Sequence, residues 1–234
     1  MNVNPEEPAG ASSSAHPDRA GADRSAEAEP AAAAGAPRTK HAERSEATRA
    51  ALVAAARPLF AERGFASVGT EEIVRAAGVT RGALYHQFRD KQELFAAVFE
   101  QLEQELAQRT GAAAGASGSG DPLVELRVGV EAWLDACTET EVQRIVLLDA
   151  PAVLGWDHWR EIGMRYSLGM VEAVLQLAVD AGQIAPQPVR PLAHVLLGAV
   201  DEAALYVATA EDPKTARAEV GEVLDRLLAS LADG

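Results

Sequence analysis

The stretch Thr70 to Lys91, TEEIVRAAGVTRGALYHQFRDK, decides the fold. It reads as a short helix, a tight turn, a second short helix, a break and the start of a third helix. Thr70 suits an N-cap, and Glu71 and Glu72 follow in the first turn, where the helix dipole favours anions. Ile73, Ala76 and Ala77 form an apolar face at i, i+3, i+4 spacing. Gly78 is the expected left-handed stop, because glycine takes that conformation without a Cβ penalty. Val79 packs in the turn and Thr80 can cap the next helix. In that helix Leu84 and Phe88 face the core, which leaves Arg81, Gly82, Tyr85 and His86 on the outer face and its flank. The pattern is that of a helix-turn-helix whose second helix enters a DNA groove. An ordinary helical corner would satisfy the pattern alone.

Residue-level likeness separates the two readings. GVTRGALYHQFRDKQELF is similar to the DNA-binding segment of the TetR/AcrR family of bacterial repressors. Upstream, EATRAALVAAARPLFAERGFASVGTEEIVRAAG resembles that family's first two helices. The likeness covers roughly Glu46 to Phe99, and the rest resembles the family only in size and helical character. It implies an all-α fold, with an N-terminal three-helix helix-turn-helix domain and a C-terminal helical bundle for ligand binding and dimerisation. It further implies a homodimeric repressor on a palindromic operator of double-stranded DNA, released by a small hydrophobic effector. On matching positions, Thr70, Tyr85 and Lys91 would hold phosphates, and Thr80, Arg81, Gly82 and His86 would approach base edges. Arg81 would read guanine through its bidentate fork. Gln87 stands where the family usually has His; its amide can still donate to phosphate, while a pH-sensitive contact there is lost.

Charge is distributed to match. The chain of 234 residues carries a net charge of −14, the wrong sign for a DNA binder until it is divided. Arg38 to Lys91 holds ten basic against six acidic residues, whereas Gly111 to Gly234 is net −11. Positive charge is kept where phosphates would lie, and the acidic remainder helps orient the molecule on DNA. Cys137 is the only cysteine, which excludes an internal disulfide and suits a reducing cytoplasm. No secretory signal opens the chain, and no apolar run is expected to reach the roughly 20 residues that a bilayer helix needs, so no membrane partner is expected.

Residues 1–44 are rich in Ala, Pro, Glu, Ser and Gly and are expected to be a disordered tail. Its basic end, Arg38, Lys40 and Arg44, forms an arm for the DNA backbone or minor groove, or a merely solvated tail; the residues leave both open. The helix-turn-helix domain is expected at 45–92. Its first helix opens at Ser45 or Glu46 and stops at Gly64, with an irregularity expected near Ala54 to Pro58, because proline removes a helix hydrogen bond. Asp90 with Glu93 makes a capping box for the fourth helix, where Lys91 at the positive end of the dipole would suit a bound phosphate. Residues 93–120 are expected to be a connecting helix, ending near Arg109, and a flexible Gly/Ala/Ser joint, GAAAGASGSG.

The domain at 121–234 reads as five helices, spanning about 122–137, 141–148, 156–181, 189–210 and 213–232, with Pro151 and Gly155 breaking the second from the third. The last two are apolar on both sides, which suggests a two-helix contribution to a dimer interface. Trp133, Leu147, Trp156, Trp159, Met164 and Tyr166 fall on helices that surround an effector cavity in the resembled family, although such residues also make plain core. Arg144 with Asp149, and Asp201 with Glu202, are further candidates for its wall. His158 and His194 have no partner at metal spacing, so no metal, cofactor or catalytic residue is assigned. No hydrolase, zinc or nucleotide motif supports an enzyme. The alternative to a ligand-responsive repressor is a constitutive or architectural DNA-binding protein without an effector.

Overall fold

The computed structural model describes residues 40–232, which contain helices and no strand. Arg38 and the rest of the expected tail lie outside them. The first helix, α1 (Lys40–Ser67), begins earlier than expected, so Lys40 and Arg44 lie on a helix and not on an extended arm. Nothing from Lys40 to Arg57 is glycine or proline, so helix propagation back past Ser45 meets no breaker. Gly64 is the one residue of α1 with non-helical dihedrals (φ 74°, ψ 160°), and the stop expected there is real. The irregularity expected before Pro58 is absent from the dihedrals. Pro58 and Ala54 are both exposed, so the carbonyl that the proline leaves without a donor faces water.

α2 (Thr70–Ala77) and α3 (Arg81–Gln87) follow. Gly69, not Thr70, caps α2; Thr70 is its first helical residue and makes no capping bond. The buried face of α2 is Ile73 and Val74 with Ala77 partly covered, whereas Ala76 is exposed. Gly78 ends α2 at φ 68°, and its N–H donates to the carbonyls of Arg75 and Val74. Thr80 Oγ1 accepts from the Ala83 N–H at 3.2 Å, which starts α3 as expected. Leu84 and Phe88 are fully buried, in one core with Leu52, Ala56 and Phe60 of α1 and with Phe95. The Phe95 ring meets Phe60 and Phe65 edge-on, with centroids 5.2 Å apart in each pair.

α4 (Lys91–Ala116) is capped by Asp90, which accepts from the Glu93 N–H at 2.8 Å, while Glu93 accepts from the Arg89 N–H at 2.6 Å. It runs straight through most of the expected joint, leaving only residues 117–121 between it and α5 (Pro122–Ala136). Packing explains the difference. A Cβ on Gly111 would lie 3.0 Å from Met170 Sδ, and one on Gly129 would lie 3.8 Å from Ala114 Cβ. Gly111 and Ala114 therefore lie on the close-contact seam of α4 with its neighbours, and alanine has the highest helix propensity.

Residues 140–154 form one continuous helical rod, α6. It is α-helical at Thr140–Val142, π-helical at Gln143–Asp149 and α-helical again at Ala150–Leu154. Pro151 does not break it as expected. In the π register the Ala150 N–H reaches back to the Ile145 carbonyl, and Pro151 has no N–H to give to Val146. The Val146 carbonyl is taken instead by the Trp159 indole N–H at 2.9 Å. The break comes at Gly155 (φ 82°). α7 (Trp156–Asp180), α8 (Val189–Thr209) and α9 (Pro213–Ser230) complete the bundle close to their expected spans. Against expectation, α8 is long and apolar enough by composition to cross a membrane. It also bears Arg190, His194, Asp201 and Glu202, and Asp201 is ion-paired with Arg160 of α7 at 2.8 Å.

One hydrophobic core runs from Leu52 and Ile73 of the head through Phe99 of α4 to Ile145, Trp159 and Ala204. A second, smaller one joins Leu126, Leu175, Ile184 and Leu228. Arg57 of α1 ties head to bundle, hydrogen-bonded to Glu105 of α4 and Glu141 of α6 at 2.7–2.8 Å. The Phe65 N–H donates to Asp149 at 2.7 Å, and Arg144 lies against Gly64. Both residues therefore serve the end of α1 and neither pairs with the other nor lines a cavity.

Candidate nucleic-acid interface and buried cavity

The outer face of α3 is built by the burial of its inner face. With Leu84 and Phe88 in the core, Arg81, Gly82, Tyr85 and His86 stand exposed on one side of a seven-residue helix. Tyr85, 45% exposed, is a large aromatic left in solvent beside three polar or small residues. A Cβ on Gly82 would meet only Thr80 Oγ1, at 3.9 Å, so nothing in the protein requires glycine there and the space belongs to whatever approaches. Arg81 is not idle: its guanidinium donates to Glu71 at 2.7 Å and lies 5.6 Å from the Tyr85 ring centroid. The neighbouring Tyr85 and then the Glu71 charge raise its pKa further above an already high value. Both partners are exposed, so the pair is weak and exchangeable.

The flanking candidates divide. Thr70, half-buried at the start of α2, carries the first free N–H groups of that helix beside it. Gln87 turns inward: its amide donates to Ser45 Oγ at 2.8 Å, tying the end of α3 to α1. Lys91 Nζ donates to the carbonyls of Phe65 and Val68 at 2.8 and 2.9 Å and sits 4.0 Å over the Phe65 ring. Burial lowers its pKa. Two of its three donors thus close the end of α1, and one is left for a phosphate. Lys40 is exposed on the first turn of α1.

A cavity of about 140 Å³ opens among α4, α5, α7, α8 and α9. An engineered cavity of about 150 Å³ holds benzene, so the space suits a ligand of at least one ring. Of the six expected wall residues, Trp133, Trp159 and Met164 line it. Leu147 is instead buried in the head-to-bundle core. Trp156 is 54% exposed and stacks outside on Trp159, with centroids 4.8 Å apart. Tyr166 points to Glu100, to which its hydroxyl donates at 3.0 Å. In a helix, residues a few positions apart face opposite sides, and composition alone did not tell which side is hollow.

The polar wall is where the sequence was silent. Glu103 of α4 is 8% exposed and faces the cavity, and no hydrogen bond is made by its carboxyl among the described residues. Burial, then the charge of Asp201, push its pKa up to about 8. Asp201 is pushed up to about 6 by burial, against the pull of Arg160. The Trp133 indole N–H is buried without an acceptor. Glu103 lies in the stripe of Phe99, Leu102 and Leu106, a charged residue inside an apolar pattern, and that is the signal that would have found it. Glu202 is exposed and takes no part. Cys137 is buried, which raises its thiol pKa, so it is no nucleophile at neutral pH. Among the described residues no three His, Cys, Asp or Glu side chains gather for a metal.

Comparison with known proteins gives the same division. Residues 52–98 match the family described as bacterial regulatory proteins, tetR family, and residues 124–231 match the tetracyclin repressor-like C-terminal domain. A TetR-family transcriptional regulator from Pectobacterium atrosepticum is 35% identical, with a TM-score of 0.73 over 83% of this chain and 98% of that one. The regulator AcrR of Shigella flexneri is 36% identical over 110 residues, 47% of this chain and 50% of AcrR. The TetC protein of transposon Tn10 from Escherichia coli is 28% identical over 141 residues, 58% of this chain and 68% of TetC.

Proposed function

Because the chain belongs to the TetR family of transcriptional regulators and is a DNA-binding regulator and not an enzyme, we propose that it is a homodimeric, ligand-responsive repressor of a palindromic operator. In this reading it acts in the cytoplasm. A small apolar effector enters the cavity and moves α4, so that the two heads no longer fit one face of the duplex. Arg81, Gly82, Thr80 and His86 approach base edges; Thr70, Tyr85, Lys91 and Lys40 serve the backbone. Gln87 acts indirectly, by holding α3 on α1.

One observation carries the reading. α4 is a single helix whose N-terminus, at Lys91, supports the head and whose later residues Glu103, Ala107, Thr110, Gly111 and Ala114 line the cavity. A ligand shifts an equilibrium only by its difference in affinity between two states, and a wall shared with the head supplies such a difference. The dimer is supported by the outer sides of α8 and α9, which leave Val195, Tyr206, Val223 and Leu227 about half exposed or more. Apolar residues gathered on adjoining helices are the usual mark of a partner surface. A constitutive DNA-binding protein has no need of a void, and the hollow beside Trp133 and Trp159 favours an effector.

The test is to map protein-protected DNA upstream of the chain's own gene, then screen small molecules for release. A symmetric footprint with half-sites about one helical turn apart, lost on adding a ligand, is the expected result. Protection without symmetry would remove the dimer, and a footprint that no ligand alters would favour the constitutive protein.

A further inference from the structure

We propose that the effector is a lipophilic cation, an apolar amine whose ammonium end is taken by Glu103. The inference rests on the effector reading above and deepens it. Glu103 is nine-tenths buried, opens onto the cavity and has no hydrogen-bond partner among the described residues. A buried carboxyl in that position is either neutral or paired with a cation. The groups facing it are Asp201 on α8, held by Arg160 of α7 at 2.8 Å, and the buried Cys137 at the end of α5. None of these supplies a free positive charge.

The remaining wall agrees. Arg160 is the one basic residue among the cavity's lining, and Asp201 offsets its charge at 2.8 Å, so an anionic ligand finds no net positive charge there. Glu125 adds a further carboxylate to the lining. Trp133 and Trp159 present aromatic surfaces, whose quadrupole attracts cations.

The sign of the pH dependence follows. The empty site keeps its proton on Glu103 up to a pH of about 8. An ammonium ion favours the carboxylate, so binding below that pH drives the Glu103 proton out to the buffer. Amine affinity should rise about tenfold per pH unit below pH 8 and level off above it.

The test uses the full chain and three probes of one shape: 4-phenylbutylamine, 4-phenylbutan-1-ol and 4-phenylbutanoate. Calorimetry in buffers of differing ionisation heat reads affinity and proton release; tryptophan fluorescence gives an independent affinity. The amine should bind about tenfold tighter than the alcohol at pH 8 and release close to one proton at pH 7, and the carboxylate should bind weakest. Glu103→Gln should abolish the amine's advantage and its proton release while leaving the alcohol's affinity unchanged. If the alcohol or the carboxylate equals the amine, the cavity remains an effector site but the cation assignment is overturned. An amine preference that survives Glu103→Gln overturns it also. If no probe binds, the cation assignment is overturned, and the effector reading stands or falls on the footprint test alone.

Discussion

In the proposed DNA complex Arg81 would arrive with its guanidinium already engaged by Glu71 at 2.7 Å. A guanine edge offers two acceptors in the plane of the fork and can replace that single exposed contact. Arg81→Ala is therefore expected to lose about 1–3 kcal/mol of discrimination at one base pair per half-site, with binding to other sequences changed much less. Competition binding against a panel of single-base operator variants checks it; an unchanged preference at every position removes the assignment. At the same scale, Glu103 carries a pH signature in the protein alone. Its folded pKa, about 8, lies above its ordinary 4.5, so its contribution is most favourable below pH 4.5 and is lost as pH rises toward 8. Glu103→Gln should remove a penalty of order 3 kcal/mol at pH 7 and flatten the fall in thermal stability between pH 5 and 8. Equal slopes for the two proteins would show that the carboxyl titrates normally. Residues whose role depends on near neighbours were legible in the sequence: Thr80 as cap, Gly78 as stop, Leu84 and Phe88 as the inner face of α3. Those whose partners lie far along the chain were not. Asp149 serves the Phe65 N–H 84 residues away, and Lys91 closes the end of α1.

Whole helices were easier to read than their irregularities. The spans of α5, α7, α8 and α9 follow from glycine and proline punctuation, because those residues act locally. The joint expected at Gly111–Gly120 is helical as far as Ala116 for the same reason: glycine spacing looks flexible until Met170 packs on Gly111 and Ala114 on Gly129. The π turn of α6 leaves no mark in composition, since it depends on a carbonyl finding a donor on another helix. That dependence can be measured. Trp159→Phe keeps the aromatic bulk and removes the N–H, leaving the Val146 carbonyl buried without a partner. A loss of about 1–3 kcal/mol in urea unfolding is expected. A variant as stable as the parent would mean that the α6 backbone repairs itself with an internal bond.

At the scale of the assembly, the chain leaves on its last two helices what a monomer would cover. Tyr206 is 55% and Val195 68% exposed. Tyr206→Glu should leave the fold intact, since the side chain stands outside both cores, and convert a dimer to a monomer in sedimentation velocity. Operator affinity should fall by at least about tenfold, because each head then binds alone. A Tyr206→Glu protein that remains dimeric and binds normally would place the interface elsewhere. The acidic bundle and the basic head were plain from the charge distribution, but the void inside the bundle was not. A cavity is a property of packing, and sequence periodicity does not report where packing fails.

In the proposed mechanism the unbroken α4 sets a scale for how little an effector would have to do. Its 26 residues extend about 39 Å at the usual rise per residue. A tilt of about 5°, pivoted near Ala114, swings the Lys91 end by roughly 3 Å. That is close to one base step, enough to take a guanidinium off its base edge in both half-sites at once. Had the glycines of this segment formed a hinge, the same push would have been absorbed by bending. In the proposed mechanism α4 serves as a lever because it stays helical through Gly111, against which Met170 packs.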